Sequence, residues 1–118
     1  MVKITKKSSE LNIQINENMR GGDGSIVIKN IADKSEMYEK ARLYARLTIK
    51  PGCSIGYHVH ENEKEIFYIL SGTALYNDNG TQTELIQGDT AVTPAGQGHS
   101  IANKGSEDVE LMALIVLQ

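Results

Sequence analysis

The chain contains no tryptophan, one cysteine, two prolines and three histidines among its 118 residues. A lone cysteine, Cys53, cannot close an internal disulfide and leaves no cysteine framework for zinc, so packing has to supply the stability. It follows the Pro51-Gly52 turn with no sign of activation nearby, which suits a small space-filling residue rather than a nucleophile. A basic excess is also missing: 12 Lys and Arg against 15 Asp and Glu give a formal net charge of -3. A nucleic acid or an anionic membrane therefore has no electrostatic footprint to meet. No apolar run of about 18 residues occurs, and the MVKITKK start carries charge without an apolar stretch behind it, so neither a membrane span nor a signal peptide is expected. The expected compartment is the cytoplasm. What is present, 40% hydrophobic and 23% charged residues, suits one soluble globular domain over 1–118.

Period-2 alternation dominates the chain. Leu11, Ile13 and Ile15, separated by Asn12, Gln14 and Asn16, predict a half-buried or edge strand in an N-terminal arm over 1–20. After Gly21-Gly22-Asp23-Gly24, which is too short for a phosphate loop and is expected to act as a hinge, Ser25-Ile26-Val27-Ile28-Lys29 predicts a second strand. Residues 33–40 form the one expected helical turn, with Asp33 as cap and Glu36 as its capping-box partner. Short strands are then expected at 41–50, 55–60, 65–71, 73–77, 81–87, 89–93, 99–103 and 108–117. Asn79-Gly80 supplies the pair of positive-φ residues that a type I′ hairpin needs. This succession predicts an all-β sandwich or barrel, with its core over about 25–117. In Leu111-Met112-Ala113-Leu114-Ile115-Val116-Leu117 both faces are apolar, so the last strand should be covered on both sides. The barrel core is one cover, and the N-terminal strand or a second subunit is the other, which makes a homodimer the expected assembly.

All three histidines fall where chemistry can use them. On a strand, His58 and His60 project together while Val59 points away. Glu65 opens the next strand after a short bend and can deliver a carboxylate to the same point. Glu61 and Glu63 compete for that role, but they sit in the polar bend and are expected to be solvated loop charges. Pro94 and Gly96 bend the chain before His99, which can supply a fourth ligand. Three imidazoles and one carboxylate suit a divalent Mn, Fe, Co, Ni or Zn ion and leave positions open for water or substrate.

These segments resemble the paired motifs of the cupin superfamily. Gly52, His58, His60, Glu65 and Gly72 keep the spacing of the first motif, and Gly88, Pro94, Gly96, His99 and Asn103 that of the second. The resemblance implies a jelly-roll, double-stranded β-helix barrel in which His58, His60, Glu65 and His99 bind the metal. The small bacterial single-domain members resemble this chain over nearly its full length. Cupins include dioxygenases, oxalate-degrading enzymes, sugar isomerases and epimerases, and also binding and storage proteins without catalysis, so the fold does not settle the function.

On strand 41–50 the alternation groups Arg42, Tyr44, Arg46 and Thr48 on one face. If that face lines the cavity, Tyr44 is the candidate catalytic residue and Arg46 a substrate contact for an anion; if it faces solvent or a dimer partner, both are surface groups. Phe67 and Ile69 share the parity of Glu65 and are candidate apolar walls, whereas Tyr57 should point away from the metal. The leading expectation is a metal-dependent enzyme, oxidoreductase-like or decarboxylase-like, acting on a small oxygen-rich molecule. The alternatives are a non-catalytic carboxylate- or sugar-binding cupin and a sugar isomerase.

Overall fold

The computed structural model describes residues 4–118; the first three residues of the expected N-terminal arm lie outside them. Ten strands follow in order: β1 (Ile13–Glu17), β2 (Ser25–Ala32), β3 (Ala41–Ile49), β4 (Ser54–Val59), β5 (Glu63–Ser71), β6 (Ala74–Asp78), β7 (Thr81–Leu85), β8 (Thr90–Thr93), β9 (Gly98–Ala102) and β10 (Val109–Leu117). They form an antiparallel six-stranded sheet in the order β1-β2-β3-β10-β5-β8 and a four-stranded sheet in the order β4-β9-β6-β7. The result is a jelly-roll whose two sheets bury their inner faces against each other. Among the described residues helical structure is limited to short 3-10 turns, and no helix is long and apolar enough to cross a membrane.

Alternation places the core. From the larger sheet come Ile26, Ile28, Ala45, Leu47, Ile49, Phe67, Ile69, Val109, Leu111 and Ala113; from the smaller come Ile55, Ala74, Tyr76, Leu85 and Ile101. The expected Asn79-Gly80 reversal joins β6 to β7, with φ of 48° and 104° at its two residues. At 33–36 the expected capping pair also forms. The Asp33 carboxylate accepts from the Glu36 backbone N–H at 2.8 Å and the Glu36 carboxylate accepts from that of Asp33 at 3.0 Å. Only one 3-10 turn, Ser35–Met37, follows, because Tyr38 and Glu39 enter the left-handed region at φ 54° and 59° and end it.

Three expectations need correction. β1 is an edge strand, but its apolar face is the outer one: Ile13 and Ile15 are 57% and 63% exposed. The register explains this, because Gln14 lies opposite Ile28 and Asn16 opposite Ile26, whose side chains point inward. Directly opposed residues share a face, so the two amides point toward the interior. Second, Gly21-Gly22-Asp23-Gly24 is no hinge. Asp23 and Ser54 exchange two hydrogen bonds of 2.9 Å, and the Asn18 N–H donates to the Gly24 carbonyl at 2.8 Å. Third, the N-terminal strand does not supply the second cover of β10. Val109, Leu111, Ala113 and Ile115 are buried, whereas Met112, Leu114 and Val116 face outward between β3 and β5, and β1 extends the sheet edge instead of folding over them.

The connection from β9 to β10 rests on Asn103, which is fully buried. Its amide donates to the carbonyls of Ile49 and Glu107 at 2.8 and 2.7 Å and its oxygen accepts from the Gly105 N–H at 2.9 Å. Truncation would orphan the Ile49 carbonyl and release the loop. The Asn103→Ala variant is expected to lose about 2–3 kcal/mol, read as a lower urea midpoint at unchanged slope.

Candidate metal centre

His58 lies on β4 and His99 opposite it on β9, in register. The bend at Asn62 carries the chain from His60, just beyond β4, to Glu65 on β5, and His60 is tied to the 94–97 turn by backbone hydrogen bonds to Gly96 and Gln97. The two sheets thus bring four donors to one point. The Nε2 atoms of His58, His60 and His99 are 3.2, 3.0 and 3.2 Å apart, and Glu65 Oε1 lies 2.9 Å from His60 and 3.0 Å from His99. All four ligand atoms fall within 4.8 Å of one another.

The far side of each ring decides what this cluster can hold. His58 Nδ1 lies 2.8 Å from the Gly56 carbonyl and His60 Nδ1 2.6 Å from the Glu63 carboxylate. Both partners only accept, so both rings carry a proton on Nδ1; the Nε2 of His58 is then able to turn a lone pair inward, and that of His60, which shares a proton with Glu65 at 2.9 Å, does so once an ion displaces that proton. His99 Nδ1 is held by the hydroxyls of Tyr76 and Thr93 at 2.8 and 3.0 Å. Inward nitrogens at this spacing repel unless a proton or a cation lies between them. Donors roughly 2.1 Å from a common centre stand about 3.0 Å apart at right angles and about 3.4 Å apart in a tetrahedron, so the spacing fits an open, octahedral-like shell better than a closed tetrahedral one. The four side chains could therefore hold a divalent ion.

Without an ion, the same groups share protons. Burial lowers the His58 imidazole below its ordinary value. The hydrogen bond to Glu65 raises that of His60. Burial pushes the Glu65 carboxyl up, but the bonds from His60 and His99 outweigh it and hold the group below the usual range. Burial moves the Tyr76 phenol up to about 12, which keeps it a neutral hydroxyl behind His99.

Glu63 departs from the expected solvated charge, whereas Glu61 is exposed as anticipated. Glu63 opens β5 with the parity of Glu65 and forms a two-pronged ion pair with Arg42, both contacts 2.7 Å, while holding His60. The Arg42 guanidinium brings its carboxyl down to about 2. Tyr76, Thr93 and Glu63 had no motif to announce them. Glu63 alone left a trace, its two-residue offset from Glu65.

The other candidates divide. Phe67 stacks on His99 with ring centroids 5.1 Å apart and Ile69 is fully buried in the core; neither lines the open cavity. Tyr44 and Arg46 lie on the outward face of β3. Arg46 approaches Glu110 at 3.4 Å and Thr48 bonds the same carboxylate. The inner face had to be the apolar one, Leu43 to Ile49, because the core lies there, so Tyr44 and Arg46 are outer-surface groups pointing away from the cluster. Tyr57 is half exposed and lies over Gly98.

A cavity of about 270 Å³ opens onto His58, His60 and Glu65, with Gln14, Asn16, Met19, Arg20, Asn30 and Arg42 among its polar and flexible walls and Leu43, Leu47, Ile55 and Ile115 among its apolar ones.

Comparison with known proteins accords with this geometry. The cupin domain family profile matches residues 45–116. An oxalate-binding protein of Thermotoga maritima is 43% identical over 111 residues, which is 94% of this chain and 92% of that protein. A crystal structure from the same organism, described as a predicted oxalate decarboxylase, superposes with a TM-score of 0.93 at 42% identity, covering 98% of this chain and 100% of the other. The cupin domain of Schizosaccharomyces pombe Cnp3, at 16% identity, shares the fold alone, with a TM-score of 0.76 over 98% of this chain and 74% of that one. The chain belongs to the cupin family.

Glu63 fixes the tautomer and direction of His60. The Glu63→Gln variant, which keeps an acceptor but loses the charge, is expected to weaken Mn(II) or Co(II) binding by roughly 10- to 100-fold. Titration with a competing chelator measures it, and an unchanged circular dichroism spectrum separates the effect from unfolding.

Proposed function

We propose that the protein is a metal-dependent cupin that binds a small carboxylate of the oxalate type, without turning it over. The observation that carries this reading is the pairing of a four-donor centre with a cavity that offers no free proton carrier. Among the described lining residues there is no lysine, tyrosine or cysteine. The histidines and Glu65 are donors to the centre, and Glu63, behind His60, is tied up by Arg42. Decarboxylation or isomerisation needs a group that gives or takes a proton beside the substrate, and the amides of Gln14, Asn16 and Asn30 cannot. A divalent ion at the centre supplies Lewis-acid binding for oxygen donors at its open positions. The lining then selects by size, because about 270 Å³ lies below the usual range for drug-sized ligands. The name of the 43% identical relative, an oxalate-binding protein, supports the ligand class.

An enzymatic reading draws on the structural neighbour described as a predicted oxalate decarboxylase, and one preparation tests both. The protein, purified without a metal-binding tag and loaded with Mn(II), is titrated calorimetrically with oxalate and then incubated with it under air. Saturable 1:1 binding with no formate or carbon dioxide is expected. Sustained product formation would replace the binding reading by the decarboxylase or oxidase one, and absence of any heat with oxalate would remove the ligand class.

We further propose that the outer face of the six-stranded sheet pairs with a second copy. Met112, Leu114 and Val116 run along its middle, Tyr44 and Tyr68 flank them, and nothing within the described chain covers them. Sedimentation equilibrium at micromolar concentration is expected to give twice the 12.9 kDa chain mass; a monomer would refute the pairing.

A further inference from the structure

The 3-10 turn Met19–Gly21 after β1 lies against β4 beside His58, and its contact is backbone on backbone. A Cβ added to Gly22 would run into the Ser54 carbonyl, and one added to Gly56 into the Arg20 carbonyl. Only glycine at both positions allows this approach. The turn is also strained. Asn18 and Arg20 both sit in the left-handed region at φ 49° and 55°, where non-glycine residues are uncommon and tend to persist at functional positions. The strained residue is the one that matters here, because Arg20 borders the cavity that opens onto His58, His60 and Glu65.

The two arginines of the cavity differ. Arg42 is spoken for by Glu63, with two charge-assisted bonds. Arg20 has no hydrogen bond or ion pair to any described residue, although its charge is felt at His58. Counting charge at the site, a divalent ion with Glu65 as its one anionic ligand keeps a single positive charge, Arg42 and Glu63 cancel, and Arg20 adds one more. The sum is +2, and apart from the His58 and His60 imidazoles every other lining side chain is an amide, a thioether or apolar.

We propose that Arg20 is the residue that makes this cavity selective for dianions: one carboxylate of a small dicarboxylate occupies the metal centre while the other is taken by the Arg20 guanidinium. The assignment rests on the metal-dependent carboxylate-binding reading above and deepens it from carboxylates in general to dicarboxylates. Glyoxylate and glycolate carry one carboxylate for the metal centre and only one negative charge, so they leave Arg20 without its partner. The planar fork of a guanidinium meets a carboxylate with two parallel hydrogen bonds, a match that an ammonium reproduces only in charge.

The test uses the full-length Mn(II)-loaded protein and its Arg20→Gln, Arg20→Lys and Arg20→Gly variants, titrated with oxalate and with glycolate. Arg20→Gln is expected to lose about 10- to 100-fold in oxalate affinity and less than about 3-fold for glycolate, with Arg20→Lys between Arg20→Gln and the native protein. Arg20→Gly should lose oxalate affinity equally while its melting temperature does not fall, since glycine relieves the positive φ; this separates recognition from damage to the turn. Equal oxalate affinity in Arg20→Gln and the native protein would overturn the assignment while leaving carboxylate binding intact, as would parallel losses for both ligands. If neither ligand binds the native protein, the underlying reading falls and the assignment with it.

Discussion

Three imidazole nitrogens and a carboxylate crowded at one point need a proton or a cation between them, and the rest of the structure can be read as what holds them there. The Nε2 atoms stand 3.0–3.2 Å apart because each ring is fixed from behind by a partner of different origin. A carbonyl bonds His58, a carboxylate already committed to Arg42 bonds His60, and two hydroxyls bond His99. None of those partners lies on the same strand as the ring it holds except Gly56. The centre therefore exists only when both sheets are paired in register, so folding and metal affinity should be linked: an ion that binds only the assembled donors stabilises the fold by mass action.

The same requirement explains how the core is divided. At one end of the inner layer the strands meet in Ile, Leu, Val and Ala, and the buried polar side chain there, Asn103, bonds only to backbone groups. At the other, Phe67 and Tyr76 pack around His99, and buried polar groups such as Thr93 and Glu65 are each hydrogen-bonded, as burial demands. Among the described residues no buried side-chain nitrogen or oxygen lacks a partner. Polar groups so fully enclosed leave the centre little freedom except on its open side, toward β1 and β2.

Much of this was legible in the sequence, and what was missed has a common cause. Strand boundaries fell within two residues of those observed except at the end of β2, which runs three residues further, and the four donors stood out because HxH on a strand must share a face. Alternation, however, fixes only relative faces. It grouped Tyr44, Arg46 and Thr48 correctly but could not say that they point outward, which the register of β3 between β2 and β10 decides; Arg42, of the same parity, turns to Glu63 and the cavity. For β1 the usual rule gave the wrong side, because its inner face overhangs a polar cavity rather than the core. Tyr76 and Thr93 are contributed by strands whose patterns look like ordinary core, and nothing local marks them as partners of His99. Glu63 looked like loop charge since a bend was expected to reach Glu65; in fact β5 begins two residues earlier.

The glycine-rich segment shows the converse error. Four small or polar residues between strands suggested freedom of motion, yet glycine here permits proximity instead. Gly22 and Gly56 let the Met19–Gly21 turn sit directly on β4, beside the carbonyl that fixes His58. The open side of the centre is thus walled by the N-terminal segment, whose polar face is turned inward and whose turn is held in a costly backbone conformation. Arg20 holds a left-handed conformation at that wall, where glycine would relieve the strain. The backbone cost falls on the element that faces the open side of the donors; on the proposal above, selection lies in that turn and affinity in the barrel.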